Sequence, residues 1–246
     1  MINPVAFNLG SLQIRWYGIL MALSYIIGYF IAVKLASKRN ISKKDVEDFF
    51  ILLIPAAVVG ARILHVIDDW SLYKDNLIEI FYIWSGGLAF FGGFILVVIA
   101  TFYYCKRRKI NFYDFADLFV IPLALGLAIG RIGNFINQEL YGVRTSLPWG
   151  IQFDNIQGKR HPTQLYGTIK DLFIFFILLN NYKNKNLPKG FIFWSFIILY
   201  SGIRFFLDFL RDWDTWIIGL THAQIYALIA SLIGIYMLRK LKKKTS

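Results

Sequence analysis

Runs of about twenty consecutive apolar residues, hydrophobic on every side of a helix, recur along this chain with short charged stretches between them. Each run can cross the ~30 Å hydrocarbon core of a bilayer, and a helix satisfies its own backbone N–H and C=O groups where no water is present to do so. The runs extend over approximately Trp16 to Ala36, Phe49 to Ile67, Leu88 to Tyr104, Phe115 to Phe135, Gln164 to Tyr182, Gly190 to Phe209 and His222 to Leu238. The pattern predicts an all-α, polytopic integral membrane protein of about seven transmembrane helices. With 57% hydrophobic and only 17% charged residues, the chain holds more apolar surface than one soluble core buries. No internal repeat or low-complexity linker divides it, so residues 1–246 are expected to form a single transmembrane domain.

Charge sets the expected orientation. Lys34, Lys38, Arg39, Lys43 and Lys44 follow the first run, Lys106, Arg107, Arg108 and Lys109 the third, and Lys183, Lys185 and Lys189 the fifth. Arg239, Lys240, Lys242, Lys243 and Lys244 close the chain. The positive-inside rule makes these segments cytoplasmic, with the N-terminus outside, the C-terminus inside and an odd number of spans. The alternate segments are acidic and aromatic, with Asp68, Asp69, Asp75 and Glu79 in one and Asp212, Trp213, Asp214 and Trp216 in another. The net charge of +12 therefore reads as topology and attraction to anionic headgroups, and no nucleic-acid partner is expected. The single cysteine, Cys105, has no disulfide partner and is read as structural. No basic stretch precedes the first apolar run, so the first helix is expected to insert by itself without a cleaved signal. His65, His161 and His222 are far apart in sequence, so neither a metal nor a cofactor is expected.

Ionised side chains at membrane depth are costly and mark candidate function. Arg62 in GARILHVI, Arg131 in GRIGNFINQELYG and Arg204 in YSGIRFFLDFLR lie near the outer ends of three runs. Together they could make a phosphate pocket, since guanidinium binds phosphate bidentately and stays protonated. Structural ion pairs, of Arg62 or Arg204 with Asp68 or Asp208, are the alternative; Lys170 reads as snorkelling or paired with Asp171. Asn134, Asn137 and Glu139 add polar groups suited to a headgroup, while glycines such as Gly133 and Gly142 allow close backbone approach. Glycine spacing there, and in SGGLAFFGG, fits tight helix packing equally well; the latter could also be a helix N-terminus open to an anion.

These blocks, taken in order, carry a family resemblance. RWYG at Arg15 to Gly18, GAR at Gly60 to Arg62, SGGLAFFGG at Ser85 to Gly93, GRIGNFINQELYG around Arg131, HPTQLY at His161 to Tyr166 and Y-x-x-x-R-x-x-x-D-x-x-R from Tyr200 to Arg211 span nearly the whole chain. The chain resembles the phosphatidylglycerol–prolipoprotein diacylglyceryl transferases. The resemblance implies a seven-helix enzyme of the bacterial cytoplasmic (inner) membrane, working toward the extracytoplasmic leaflet. It implies transfer of a diacylglyceryl group from phosphatidylglycerol to the lipobox cysteine of a preprolipoprotein, releasing glycerol phosphate; a monomer is expected. By the same resemblance Arg131 and Arg204 hold the phosphate, Tyr17, Asn134, Glu139 and Tyr200 line the donor pocket, and His161 shapes the outer loop.

Four positions depart from the family pattern. Phe91 stands at the place of a histidine proposed as base, Gln138 at a usual glycine, Gly167 at a glutamate, and Asp208 at a glutamate one methylene longer. Phenylalanine cannot move a proton, so another base is needed. His65 is the candidate, with the alternative that the arginines lower the thiol pKa enough for water to serve. A divergent homologue that binds an anionic lipid with a changed acceptor or no catalysis is the second reading. A transporter is the third, disfavoured by the lack of an inverted repeat.

Overall fold

The computed structural model describes residues 2–10, 12–184 and 186–245, and Lys185 of the basic segments lies outside the described residues. Seven α-helices follow the apolar runs: α1 (Trp16–Ala36), α2 (Lys43–Asp68), α3 (Phe90–Arg108), α4 (Phe112–Ile136), α5 (Thr163–Tyr182), α6 (Phe191–Leu207) and α7 (His222–Thr245). Five of them are long and apolar enough to cross a membrane, namely α1, α2, α4, α6 and α7. The other two are α3, which ends on Lys106, Arg107 and Arg108, and α5, which carries Lys170 and Asp171.

The chain is mostly helical, as expected, with one small β element beside the helices. Ahead of α1 runs an antiparallel hairpin of β1 (Val5–Leu9) and β2 (Leu12–Arg15), pairing Phe7 with Ile14 and Asn8 with Gln13. Apolar and polar residues alternate in β2 with the period of a strand, and Gly10 turns the chain at φ +61°. So short a pattern, placed against a long apolar run, is easily read as part of it. The backbone N–H of Trp16 donates to the Pro4 carbonyl at 3.0 Å, so the hairpin leads directly into α1.

The chain packs as two compact units, Val33–Phe115 and Met1–Ala32 with Ala116–Ser246. In the first, α2 is N-capped by Ser42, whose Oγ accepts from the Asp45 N–H at 3.0 Å. It lies against α3 along a glycine seam. A Cβ on Gly60 would stand 2.5 Å from the Leu96 Cβ, and one on Gly93 would stand 2.7 Å from the Ala57 carbonyl oxygen. Gly92 and Gly93 of SGGLAFFGG therefore serve close helix packing. Cys105 is buried near the basic end of α3, at 2% exposure.

In the second unit Leu118, Ile121, Ala124 and Ala128 of α4, Ile174 and Leu178 of α5 and Ile192 of α6 make the core. Asp117, itself buried, accepts from the Gly190 and Phe193 N–H groups at 2.8 Å each, supplying α6 with the cap its own sequence lacks. The α7 N-terminus carries a reciprocal capping box: the Gln224 Oε1 accepts from the Thr221 N–H at 2.9 Å, and the Thr221 Oγ1 from the Gln224 N–H at 3.2 Å.

Candidate functional site

The site is organised by one face of α6 and its continuation. Tyr200, Arg204, Asp208 and Arg211 follow at intervals of four, four and three residues, which stacks them along a single helical stripe. Arg204 donates through Nε to Asp208 at 3.3 Å and through Nη1 to the Tyr200 hydroxyl at 3.5 Å. Arg211 reaches the other Asp208 oxygen at 3.4 Å and lies over the Trp213 ring at 4.6 Å. Asp208 is 2% exposed and is thus shared by two guanidiniums in a dry place. Burial, with help from the positive charges of Arg131 and Arg204 and against the pull of Asp208, pushes the Arg211 pKa down to about 10. It is still a cation at neutral pH.

Arg131 approaches the same stripe from α4. Its side chain lies across α5 at Gly167, where a Cβ would stand 3.2 Å from the Arg131 Cδ. Arg131 and Arg204 both bear electrostatically on Tyr200 and on Arg211, so the two arginines converge on one neighbourhood. One turn along α5, Lys170 pairs with Asp171 at 2.5 Å, with side-chain exposures of 5% and 0%. The Lys170 Nζ also sits 3.6 Å from the centroid of the Tyr200 ring. Of the two alternatives left open for Lys170, pairing with Asp171 is the one observed. Arg204 is likewise paired with Asp208, yet it keeps donors beyond that contact.

The GRIGNFINQELYG segment folds back on itself. Glu139 accepts from Asn134 at 2.7 Å and from Asn137 at 3.4 Å, while the Asn137 Oδ1 is buried with no hydrogen-bond partner. Gly133 lies beneath the Tyr17 ring, whose Cδ2 would stand 2.6 Å from a Cβ there. Gly142 is tightly packed: a Cβ would strike the Leu210 carbonyl oxygen and stand 2.8 Å from both the His161 Cβ and the Thr163 Cγ2, and its N–H donates to the His161 carbonyl at 2.9 Å. Its lack of a side chain is explained by this seam. The His161 Nδ1 is 3.1 Å from the Tyr166 hydroxyl, which also accepts from the Trp149 indole at 2.9 Å. Gln164, on the first turn of α5, donates to the Glu139 carbonyl at 2.6 Å.

In the other unit, Arg62 is held by backbone. It donates to the carbonyls of Ile80 at 2.8 Å, Gly86 at 2.7 Å, Gly87 at 3.0 Å and Glu79 at 2.6 Å. These four bonds staple the segment between α2 and α3, instead of the ion pair with Asp68 or Asp208 considered from the sequence. The His65 Nδ1 meets Asp69 at 3.0 Å, and the imidazole lies edge-on to Tyr73. Gly87, at φ +74°, leaves room for both His65 and Arg62, whose ring and guanidinium a Cβ would strike. Phe91 is 64% exposed on α3.

From the sequence Arg211 has no role of its own, and Lys170 with Asp171 only that of a structural pair. The signal for Arg211 was its spacing from Arg204 and Asp208 along the stripe. For Asp171 it was a carboxylate within an apolar run, next to a lysine.

Residues 4–239 match the family described as prolipoprotein diacylglyceryl transferase. Proteins named phosphatidylglycerol–prolipoprotein diacylglyceryl transferase include one of Finegoldia magna, 42% identical over 99% of this chain and 97% of that protein. Another, of Clostridioides difficile strain 630, is 44% identical over the same shares. A third, of Geobacter sulfurreducens, is 37% identical over 87% of this chain and 84% of that protein. A match of that extent makes this chain a member of the prolipoprotein diacylglyceryl transferase family.

Proposed function

We propose that this protein transfers a diacylglyceryl group from phosphatidylglycerol to the lipobox cysteine thiol of a preprolipoprotein, forming a thioether and releasing glycerol phosphate. The observation that carries the reading is a charge surplus. Arg131, Lys170, Arg204 and Arg211 set four positive charges against the two negative ones of Asp171 and Asp208, in a cluster where Asp171, Asp208, Lys170 and Arg211 are all buried. Uncompensated charge in such a place calls for an anion, and a lipid phosphate supplies it.

In this reading Arg131 and Arg204 hold the phosphate and stabilise the charge that gathers on it as the glyceryl C–O bond breaks. Tyr17, Asn134, Asn137, Glu139 and Tyr200 surround the headgroup, whose hydroxyls suit the unpartnered Asn137 Oδ1. Gly133 and Gly142 keep Tyr17 and the loop in place, His161 shapes that loop through Tyr166, and Arg62 orders the segment beside α3. His65 takes the thiol proton, its Nδ1 oriented by Asp69. All seven helices cross the bacterial inner membrane, the N-terminus lies outside, and the site works at the outer leaflet. The basic segments support that orientation.

The test is reconstitution with phosphatidylglycerol and a lipobox peptide. The expected products are a peptide heavier by one diacylglyceryl group on cysteine and free glycerol phosphate. Lipid binding without either product would favour the divergent homologue to which Phe91 points. H65F with undiminished thioether formation would remove His65 as the base.

A further inference from the structure

Asp171 is a hazard to the site as well as a part of it. Its carboxylate is fully buried, its Oδ2 has no hydrogen-bond partner, and its charge reaches both Arg131 and Arg204. Left alone, it would compete with a phosphate for the same two guanidiniums. Lys170 stands in the way. Its ammonium takes the Asp171 Oδ1 at 2.5 Å, and the face of Tyr200, 3.6 Å from the Nζ, holds the ammonium in place. The Tyr200 ring is itself fixed from a second direction by Phe196, stacked at 5.5 Å and 29°.

We propose that Lys170 is a positioning residue that keeps Asp171 off Arg131 and Arg204 and so leaves both arginines free for the lipid phosphate. The inference rests on the phosphate reading of those arginines. It assigns a task to a buried lysine that the transfer reaction itself does not use. The groups that bear on the Lys170 ammonium are Asp171 on its own helix, Tyr200 from α6 and Arg131 from α4, while Arg204 bears on Asp171 and Tyr200. Arg211, beyond Asp208, completes the set. With Lys170 neutral, the Asp171 charge has only the arginines to turn to.

The experiment compares the full-length protein with K170M, D171N, K170R and the double variant K170M/D171N, measuring the KM for phosphatidylglycerol, kcat and thermal stability. K170M is expected to raise the KM at least tenfold, because a carboxylate now occupies the anion's place. Adding D171N to K170M is expected to bring the KM back to within about threefold of the wild type. K170R, which keeps the positive charge, should stay close to the wild type. A merely structural ion pair would lower the melting temperature in K170M and restore it in the double variant, with the KM unchanged in both. A lysine that binds phosphate itself leaves the double variant as impaired as K170M. Either result overturns the proposal, as does a K170M variant with unchanged KM. If K170M does not fold, the double variant decides, since it removes the ammonium together with the carboxylate that it pairs; a tenfold rise in its KM overturns the proposal. Absence of any transfer by the wild type would instead refute the function from which the inference starts.

Discussion

Arg131 lies across Gly167, with its Cγ, Cδ and Nε at 3.3, 3.2 and 3.4 Å from where a Cβ on that residue would stand. Glycine in the middle of a helix costs roughly 1 kcal/mol relative to alanine, and here the empty position gives the arginine its path. G167A is expected to be as stable as the wild type or up to about 1 kcal/mol more so, because the long arginine stem can shift by the few tenths of an ångström required. G167L leaves no such path. It should raise the KM for phosphatidylglycerol at least tenfold and cost about 1–3 kcal/mol of stability by overpacking, read by steady-state kinetics beside a thermal melt.

Gln138 holds a left-handed backbone, φ +58°, where glycine is the residue at ease. It is compensated by two bonds to Asp154: its Nε2 donates to the carboxylate at 2.7 Å, and its Oε1 accepts from the Asp154 N–H at 2.7 Å. Q138G exchanges these bonds for relief of about 1 kcal/mol of strain and should be nearly neutral. Q138A keeps the strain and loses the bonds. It should be the less stable of the two by about 1 kcal/mol in a denaturation series. Equal stability of the two would mean that the backbone is unstrained.

Helix existence was legible because hydrophobic runs of this length have few other fates. The α1 boundaries expected from the sequence, Trp16 to Ala36, are those observed. The hairpin at Val5–Leu9 and Leu12–Arg15 was not legible, since a two-stranded element depends on cross-strand pairing that a short pattern does not announce. For the site, Arg131 and Arg204 stood out as charges in apolar runs. The partners that give them their geometry did not: Asp117 caps a helix that begins at Phe191, and Gly167 matters only because Arg131 crosses it. Arg62 shows the converse. It had the same sequence signature as the other two arginines, yet its donors go to carbonyls, a target that leaves no trace in residue type.

Asp208 stands between Arg204 and Arg211 at 3.3 and 3.4 Å, nearly without solvent. Removing one member of a buried ion cluster leaves the others uncompensated, at a cost of about 3–5 kcal/mol. D208A should therefore unfold far more readily than the wild type and bind phosphatidylglycerol poorly. D208E restores the charge with one more methylene and should recover most of the stability in the same thermal melt. A D208A protein as stable as the wild type would show that the two guanidiniums are satisfied elsewhere.

Arg211 gives the site its alkaline limit. Its pKa is held down to about 10, first by burial and then by the neighbouring charges of Arg131 and Arg204. A base with a lowered pKa loses its charge as pH rises, so the effect falls on the high-pH side. From about pH 6 to about pH 9 Arg211 keeps its charge, and affinity for phosphatidylglycerol should be flat. Toward the pKa of Arg211 the cluster loses one of its positive charges, and affinity should fall. R211Q lacks that charge at every pH: it should bind more weakly throughout and show no alkaline fall. A fall that persists in R211Q would move the titration to another group.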